Sequence, residues 1–438
     1  MKKVINTTVA AGVSLIALAA CNAPLPQAQN TARNLQQLNA PARHNGVFNR
    51  DPQIQFLPRQ AVVKLKPGYN PETFRANVTR AGLRIKDRLD IDTPILLVES
   101  NTRSTEDLVA SLKQDQGVEI SQPNYWFSIT QNIRPAGPRA AAPNDELFPK
   151  EWHMERVKAL EAWNHGTGNK DFIVSVVDTG VDYNHPDLKA NMIIGEDYTG
   201  EDPTGKDPID SFGHGTHVAG IIGAIANNGI GVSGAAPNVK LLAVKVLGVK
   251  GGGSLISIAK GIKYSVDKGA KIVNLSLGGP AVTDLISSAV GFWAVKKGAL
   301  LMAAAGNSAG QIGTPARIDD YYMAVGASDE GDKLAKFSCF GKELSIVSPG
   351  TNIWATTPTY KVPLNDYGYA MNYAPLQGTS MATPLAAGIA ALVWSKHPQW
   401  TAQQVRAHLE KTAVDLGAPG KDNTFGFGRV DAAAALAN

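Results

Sequence analysis

The chain has 438 residues, 44% of them hydrophobic, and 43 glycines, a composition that suits a compact globular protein and excludes an intrinsically disordered one. One hydrophobic core rarely suffices at this length, so the chain is expected to fold as more than one unit. Its formal net charge of +4, from 42 basic and 38 acidic residues without a long basic run, gives no electrostatic basis for binding nucleic acid or a strongly acidic substrate.

The first twenty residues have the pattern of an export signal, in which Lys2 and Lys3 precede a short apolar segment that ends in small residues. Residues 18–21, Leu-Ala-Ala-Cys, resemble a bacterial lipobox, which predicts a lipid on Cys21. Ordinary signal cleavage beside an incidental cysteine is the alternative. Residues 21–53 are rich in Asn, Gln, Ala and Pro and are predicted to form a flexible tether.

Cys339 is the other cysteine of the chain, so no intramolecular disulfide is expected if Cys21 is lipidated. It lies well away in sequence from each of the motifs considered below. We expect it to be a buried packing residue and not a nucleophile.

Residues 54–130 have the periodicity of a small α+β unit. The predicted strands cover residues 61–65, 83–91, 95–99 and 118–129, and the predicted helices cover residues 71–81 and 104–113. Their order is βαββαβ, which predicts a ferredoxin-like fold. Residues 131–144, rich in proline and alanine, are predicted to be an open linker, and its arginines invite proteolysis.

Residues 145–438 alternate between short apolar segments and segments of helix length. Buried strands are predicted at residues 172–177, 240–247, 271–277 and 299–305, and helices at residues 218–226 and 255–267. This alternation predicts an α/β domain with a mostly parallel central sheet between two layers of helices. In such sheets, functional residues collect at the carboxyl ends of the strands.

Two upstream residues have the chemistry of an acid and a base. Asp178 follows an apolar run and lies at the carboxyl end of a predicted strand, although an isolated Asp-Thr-Gly is also common in simple turns. His214 lies between two glycines at a predicted helix start, which leaves little steric cover around its ring and suits a general base. A metal pair with His217 is the alternative, but no Glu or third His has metalloprotease spacing, and we expect His217 to be a packed helical residue.

Ser380 lies near the start of an apolar helix that runs to Trp394, where helix capping is the ordinary explanation for a lone serine. Asn307 follows the apolar run 299–306, so its side-chain amide lies at a strand end and could donate to an oxyanion; alone, it would be a turn residue. The presence of an acid, a base, a nucleophile and an amide donor in one chain favours catalysis over these separate explanations.

Four motifs occur in a fixed order: Asp-Thr-Gly at 178–180, His-Gly-Thr-His-Val-Ala-Gly at 214–220, Ala-Gly-Asn-Ser at 305–308 and Gly-Thr-Ser-Met-Ala-Thr-Pro at 378–384. Together they resemble the subtilisin-like serine proteases over most of residues 145–438. The chain order Asp, His, Ser excludes the chymotrypsin and α/β-hydrolase plans, and Ser380 lacks the Gly-x-Ser-x-Gly elbow. The resemblance implies a subtilisin-like three-layer fold and serine endopeptidase activity on proteins and peptides.

The same resemblance assigns roles to individual residues. Ser380 is the expected nucleophile, His214 the base and Asp178 the residue that orients it, while Asn307 and the Ser380 amide bind the oxyanion. Two segments resemble the strands that pair with substrate backbone, and the expected contacts are Gly251, Gly253, Ser276, Leu277 and Gly278. The pocket segments carry no charge, which predicts a broad preference for apolar side chains.

A structural calcium ion is a further implication of the resemblance, since this ion takes carboxylate, amide and backbone oxygens. The expected ligands are Asp145, Asp187, Ala226, Asn228, Ile230 and Val232. The alternative is a polar surface loop beside a His-Pro-Asp turn, because spacing alone does not show coordination.

In this family a βαββαβ prodomain assists folding and inhibits the protease through its C-terminal strand, and residues 54–130 fit that description. We therefore expect an exported zymogen that cuts itself within residues 129–144. If Cys21 carries lipid, the same cut would release the mature enzyme from the membrane. Two alternatives stay open: a catalytically silent relative that acts as a binding module or chaperone, and an esterase.

Overall fold

The computed structural model describes residues 56–129 and 146–437. The predicted signal peptide, tether and linker, Cys21 and Asp145 lie outside these residues. Within the two described ranges, none of the helices combines the length and the apolar character needed to cross a membrane.

The N-terminal unit has the βαββαβ order predicted from the sequence. Its elements are β1 (Phe56–Leu65), α1 (Pro71–Arg80), β2 (Arg84–Leu89), β3 (Ile95–Glu99), α2 (Thr105–Leu112) and β4 (Val118–Ile129). The four strands form an antiparallel sheet in the order β4-β1-β3-β2, which is the ferredoxin-like arrangement. Side chains cap both helices, because Asn70 accepts the Glu72 N–H and Ser104 accepts the Asp107 N–H.

Both faces of this small sheet are buried, which explains the nearly continuous apolar residues of β1 and β3. Val63 and Leu96 pack in the core formed with α1 and α2. Val62 and Leu97, which point the other way, belong to a core shared with the C-terminal domain. The small unit is therefore joined to the rest of the protein by an apolar interface.

The C-terminal domain is built on a seven-stranded sheet in the order β13-β12-β11-β9-β5-β7-β6, with parallel pairing between neighbours. Its strands are β5 (Ile173–Asp178), β6 (Met192–Asp197), β7 (Lys240–Lys245), β9 (Ile272–Leu275), β11 (Leu300–Ala304), β12 (Tyr322–Ser328) and β13 (Leu344–Pro349). Further short strands are β8 (Gly252–Ser254), β10 (Leu277–Gly278), β14 (Ile353–Thr357) and β15 (Asn372–Leu376).

Helices cover both faces of the parallel sheet. They are α3 (Trp152–Arg156), α4 (Ala159–Trp163), α5 (His214–Gly223), α6 (Leu255–Asp267), α7 (Leu285–Lys296), α8 (Pro363–Asp366), α9 (Thr379–Lys396), α10 (Ala402–Thr412) and α11 (Ala432–Ala437). The core on one face contains α5 and α9, and the core on the other contains α6 and α7. The predicted α/β fold with a mostly parallel central sheet is confirmed.

The last strand of the small unit reaches into the C-terminal domain. There β4 pairs antiparallel with both β8 and β10, so that Phe127 lies opposite Gly253 and Ile129 opposite Leu277. Polar contacts flank this junction: Gln122 donates to Asp284 at 2.6 Å, Lys296 lies 2.7 Å from Asp92, and Lys260 pairs with Asp87.

Near the predicted site, two element boundaries differ from the sequence prediction for physical reasons. Helix α5 begins at His214, which confirms the helix start expected there. It therefore begins four residues before the helical segment predicted at 218–226, because the buried carboxylate of Asp210 accepts the Thr216 N–H of its first turn. The strand predicted at residues 271–277 is interrupted at Ser276, whose side chain and carbonyl are hydrogen bonded to Ser380.

Candidate active site

Asp178 is the last residue of β5 and is fully buried. Its Oδ1 atom accepts the Thr179 N–H at 2.7 Å and lies 2.7 Å from Nδ1 of His214. Its Oδ2 atom has no hydrogen-bond partner within the described ranges. A carboxylate at this distance favours the proton on Nδ1, so that Nε2 of the neutral imidazole becomes the acceptor.

His214 is held by close backbone packing at the start of α5. A Cβ atom on Gly215 would lie 2.0 Å from the carbonyl oxygen of Gly180, and Gly213 adopts a φ of +112°. The helix start therefore rests directly on the turn after Asp178. His214 is fully buried, so the expectation of little steric cover around its ring is wrong: glycines on either side in sequence do not prevent other parts of the fold from covering it. Its Nε2 atom has no partner among the residues that the structure describes.

Asp210 is a buried residue that the sequence analysis missed. Its carboxylate accepts the backbone N–H groups of Phe212, Gly213 and Thr216 and the hydroxyls of Thr179 and Thr216, at 2.6–3.0 Å. Burial raises the pKa of this carboxyl group, while the hydrogen bonds oppose that shift. The carboxylate thus ties the residue after Asp178 to the residue before His214. In the sequence, the feature that could have pointed to this residue is its position, four residues before His214.

Ser380 lies in the first turn of α9, after Gly378 as the N-cap residue. Its Oγ donates to the carbonyl oxygen of Ser276 at 2.9 Å, and Ser276 Oγ donates to the Ser380 carbonyl at 2.8 Å. The Asn274 side chain donates in turn to Ser276 Oγ at 2.9 Å. The hydroxyl of Ser380 is therefore directed to the end of β9 and does not cap the helix, which excludes the capping explanation.

Asn307 follows β11 and presents its side-chain nitrogen. Its Oδ1 atom accepts the Thr379 N–H at 2.9 Å and the Thr379 hydroxyl at 3.1 Å, which fixes the amide plane. The Nδ2 atom is buried and has no acceptor among the described residues. An amide donor held in this way is suited to a negatively charged oxygen.

These four side chains converge because their strands are neighbours. The order β11-β9-β5 places the end of β9 between Asp178 and the loop that carries Asn307. Ser276 follows β9 and holds Ser380, and Thr379 holds Asn307. The Asp178–His214 pair and the linked residues Ser276, Ser380 and Asn307 thus lie at the same edge of the sheet.

The predicted substrate segments flank the chain's own β4. Strand β8 contains Gly253, which pairs with Phe127, and β10 contains Leu277 and Gly278, which pair with residues 129 and 128. Gly251 lies in the turn before β8 with a φ of +67°. A Cβ atom on Gly253 would lie 2.1 Å from the Val246 carbonyl oxygen, so only glycine permits this strand to pack as it does.

His217 does not share a ligand position with His214. Its Nε2 atom lies 3.0 Å from the Ala374 carbonyl oxygen, whereas the His214 ring faces Asp178. Burial lowers the pKa of His217 to about 3, so the ring is neutral. The two rings have different partners, which argues against the metal-pair alternative and favours a packed helical residue.

The expected calcium ligands lie around one buried carboxylate. Asp187 is fully buried, accepts the Val232 N–H at 3.0 Å and accepts from the Asn228 amide at 2.6 Å. Residues 226–232 wrap around this carboxylate, so carbonyl oxygens of Ala226, Ile230 and Val232 belong to the same loop. The donor set consists of oxygens from a carboxylate, an amide and the backbone, which fits Ca²⁺.

Comparisons with known proteins agree with this architecture. A model described as the subtilase family matches residues 169–428. The alkaline protease of Alkalihalobacillus alcalophilus is 45% identical over 289 residues, which cover 65% of this chain and 69% of the relative. The halolysin-like extracellular serine protease Nep of Natrialba magadii is 35% identical over 383 residues, 86% of this chain and 64% of the relative.

A solved structure also matches. The crystal structure of fervidolysin from Fervidobacterium pennivorans, a keratinolytic enzyme related to subtilisin, aligns with a TM-score of 0.73 at 25% identity. The alignment covers 89% of this chain and 62% of the fervidolysin chain.

Proposed function

The chain belongs to the subtilase family and is a subtilisin-type serine endopeptidase, and on that premise we propose that Asp178, His214 and Ser380 are its catalytic triad. The observation that carries the proposal is the 2.7 Å contact between Asp178 Oδ1 and His214 Nδ1 at the buried end of β5. This contact leaves Nε2 of His214 as the acceptor on the side of the ring away from Asp178.

In the proposed reaction, Ser380 Oγ attacks the carbonyl carbon of the scissile peptide bond and its proton moves to Nε2 of His214. Asp178 stabilises the resulting imidazolium. The tetrahedral intermediate then expels the amine, which takes the proton from Nε2, and leaves an acyl group on Ser380. A water molecule, deprotonated by the same nitrogen, hydrolyses the acyl-enzyme.

Asn307 supplies one donor of the proposed oxyanion hole, and the backbone N–H of Ser380 supplies the other. The support is that Thr379 holds the Asn307 oxygen while the buried Nδ2 atom has no acceptor within the described ranges. A donor that is already positioned requires no reorganisation when negative charge develops on the carbonyl oxygen.

An extended peptide is the substrate that fits this site. We assign the backbone contacts to Gly251, Gly253, Ser276, Leu277 and Gly278, because strand β4 of the chain itself lies between β8 and β10 in an antiparallel register. Such strand addition supplies affinity through main-chain hydrogen bonds and leaves selectivity to side-chain pockets. The uncharged residues along β10 favour apolar side chains.

Labelling with a serine-reactive fluorophosphonate tests the triad. Wild-type enzyme should be labelled and should digest casein, whereas Ser380→Ala should do neither. A binding module or chaperone without catalytic activity would give no label in either protein. Hydrolysis of small esters without casein digestion would instead indicate an esterase.

Residues 54–130 act in this proposal as an inhibitory prodomain and folding chaperone for residues 145–438, with 131–144 as the cleavable linker. The support is the insertion of β4 between β8 and β10, together with the ion pairs Lys260–Asp87 and Lys296–Asp92. A strand in this position prevents a substrate strand from pairing there.

A structural calcium ion completes the proposed enzyme. Asp187 and Asn228 would hold it through side-chain oxygens, and Ala226, Ile230 and Val232 through carbonyl oxygens, with Asp145 as a further carboxylate. The ion would cross-link this loop to the start of the catalytic domain, where the Leu147 N–H donates to the Gly231 carbonyl at 3.1 Å.

Residues 1–20 are proposed as a lipoprotein signal peptide, Cys21 as a lipidated residue and residues 21–53 as a tether, so that the precursor is exported and anchored. The relative from Natrialba magadii is named an extracellular protease, which supports export. Because Cys21 and the catalytic domain lie on opposite sides of the linker in the sequence, self-cleavage would release the mature enzyme.

Fractionation of bacterial cells tests this release. Mature enzyme should be in the medium, and the Ser380→Ala precursor should be in membranes. Mature enzyme found in membranes alone would contradict release.

A further inference from the structure

The loop that carries Asn307, residues 306–310, is supported by a second segment, residues 337–340, which we call the brace. The Cys339 N–H donates to the Gly306 carbonyl at 2.9 Å, and the Ala309 N–H donates to the Phe337 carbonyl at 2.9 Å. The Phe340 N–H donates to the Gly310 carbonyl at 3.1 Å. The brace therefore contacts the loop on both sides of Asn307.

The side chain of Cys339 lies at the centre of this contact. Its Sγ atom is 3.1 Å from the Ser308 hydroxyl, and a Cβ atom on Gly306 would lie 3.0 Å from it. Cys339 is 1% exposed. It is a buried packing residue, as expected. Although it lies well away from the motifs in sequence, the fold brings it against the residues that flank Asn307.

We infer, on the basis of the oxyanion role proposed above for Asn307, that the brace is a positioning element for the oxyanion hole and that Cys339 is its central positioning residue. The Asn307 side chain is fixed through its oxygen by Thr379. Its backbone lies in a loop where Ser308 and Ala309 are exposed and Ala309 adopts a φ of +53°. The brace supplies the contacts that hold this exposed turn in place.

The physical reason is the precision that an oxyanion donor requires. A donor stabilises the transition state only when its N–H lies at hydrogen-bond distance from the position that the oxyanion will occupy. A supporting shell that allows a displacement of about 0.5 Å weakens that interaction without preventing substrate binding. Loss of the Cys339 Sγ contacts should therefore lower kcat and leave KM nearly unchanged.

The experiment compares Cys339→Ala and Cys339→Ser with wild-type enzyme, with rates normalised to active sites titrated by a fluorophosphonate so that unfolded protein does not count. Cys339→Ala should lower kcat roughly 3- to 30-fold, a fraction of the loss of a whole oxyanion donor. Cys339→Ser keeps a polar atom beside Ser308 and should restore kcat to within about threefold of wild type. Ser265→Ala, which removes one buried polar atom from α6, is the matched control and should leave kcat unchanged.

A double-mutant cycle with Asn307→Ala separates this role from a general structural effect. If the brace acts through Asn307, Cys339→Ala should have no further effect on kcat in the Asn307→Ala background. A full additional loss in that background, or an unchanged kcat for Cys339→Ala alone, would overturn the inference. An unchanged kcat for Asn307→Ala would instead contradict the proposed oxyanion role itself.

Discussion

A single buried carboxylate, Asp210, organises the residues around Asp178 and His214, the pair proposed for catalysis. Its hydrogen bonds reach Thr179, next to Asp178, and Gly213, next to His214. Each of the N–H and O–H groups that donate to Asp210 is buried. An asparagine at this position has the same shape but replaces one acceptor oxygen with an NH2 group, so some of these donors would face another donor. The geometry of Asp178 and His214 thus depends on a residue that takes no part in the chemistry.

We expect Asp210→Asn to lower the free energy of unfolding by roughly 2–4 kcal/mol, because buried N–H and O–H groups would lose their acceptor. Urea unfolding of the Ser380→Ala protein, which cannot digest itself, measures this. Asp171→Asn, at an exposed position, is the control and should change little. An equal effect of the two substitutions would show that the Asp210 hydrogen bonds contribute no specific stability.

The low pKa of His217 allows a prediction of how the stability of the folded protein depends on pH. Its ring is fully buried, and burial lowers its pKa from 6.5 to about 3. As the pH falls below 6.5, the unfolded chain binds the proton first. Stability from this group is therefore complete above pH 6.5 and is lost as the pH falls toward 3, by up to about 1.4 kcal/mol per pH unit.

In the Ser380→Ala background, the free energy of unfolding should decline between pH 7 and pH 5. With His217→Gln added, this free energy should decline less steeply over the same range. Glutamine keeps a donor for the Ala374 carbonyl but does not titrate. His153, whose pKa burial also lowers to about 3, accounts for part of the remaining slope. The exposed control His165→Gln should keep the wild-type slope; a His217→Gln slope equal to wild type would contradict the assignment.

At the scale of elements, periodicity identified most of the small unit. Strands β3 and β4 have the predicted bounds. Helix α1 differs from the prediction by one residue at its end, and α2 by one residue at each end. A short apolar run defines β3, and the helices have apolar residues at helical spacing with a side-chain cap at each start, so local pattern was enough to place them. Strand β1 begins at Phe56 and not at residue 61, because pairing with Tyr125 of β4 extends it beyond its apolar run.

The register of β4 narrows the expected position of self-cleavage. Ile129 lies opposite Leu277, and Ser380 Oγ lies 2.9 Å from the carbonyl oxygen of Ser276, the preceding residue. Because antiparallel partners run in opposite directions, β4 at Ile129 is directed toward Ser276, the residue whose carbonyl oxygen accepts the Ser380 hydroxyl. We expect the first cut between residues 129 and 131, and not at the linker arginines.

Mass spectrometry of a processing time course would identify the first new termini. The Ser380→Ala protein should remain uncut, because self-processing requires the nucleophile. First termini at Arg134 or Arg139, or the same fragments from wild type and Ser380→Ala, would point to another protease.

At the scale of the whole molecule, the N-terminal unit and the catalytic domain share an apolar core in which Phe127 and Val62 pack with residues of α6 and α7. Ion pairs at Lys260 and Lys296 lie around this core. Burial of apolar side chains supplies most of the affinity of such an interface, while exposed ion pairs contribute little. The N-terminal unit is therefore held to the C-terminal domain by this apolar core as well as by its last strand.

Calcium is expected to stabilise the catalytic domain as a whole. Cys339 is a free, buried cysteine, so among the described residues disulfides do not supply this stability. An ion present at about a hundredfold excess over its Kd adds about 2.7 kcal/mol, which corresponds to a change in Tm of roughly 5 °C or more.

Chelation of calcium in the Ser380→Ala protein should lower Tm by that amount, and added calcium should restore it. Asp187→Asn should have a lowered Tm that chelation does not reduce further. An unchanged Tm on chelation of the Ser380→Ala protein would show that residues 226–232 form an ordinary surface loop.

The sequence alone determined the fold class, the βαββαβ order of the small unit and the four motifs whose order led to the subtilase family. These features depend on local periodicity and on short runs of residues. Both can be recognised in one segment of the chain without knowledge of the contacts that it makes with other segments. The same local patterns also located the residues proposed for catalysis.

Tertiary structure decided which of these residues meet. Each of four contacts joins parts of the chain far apart in sequence: Asp178 with His214, Asp210 with Thr179, Cys339 with Gly306, and β4 with β8 and β10. Such contacts depend on strand order and on close backbone packing at glycines, which local propensity does not encode. For this reason Cys339 is far from the motifs in the sequence and yet contacts the residues on either side of Asn307 in the fold.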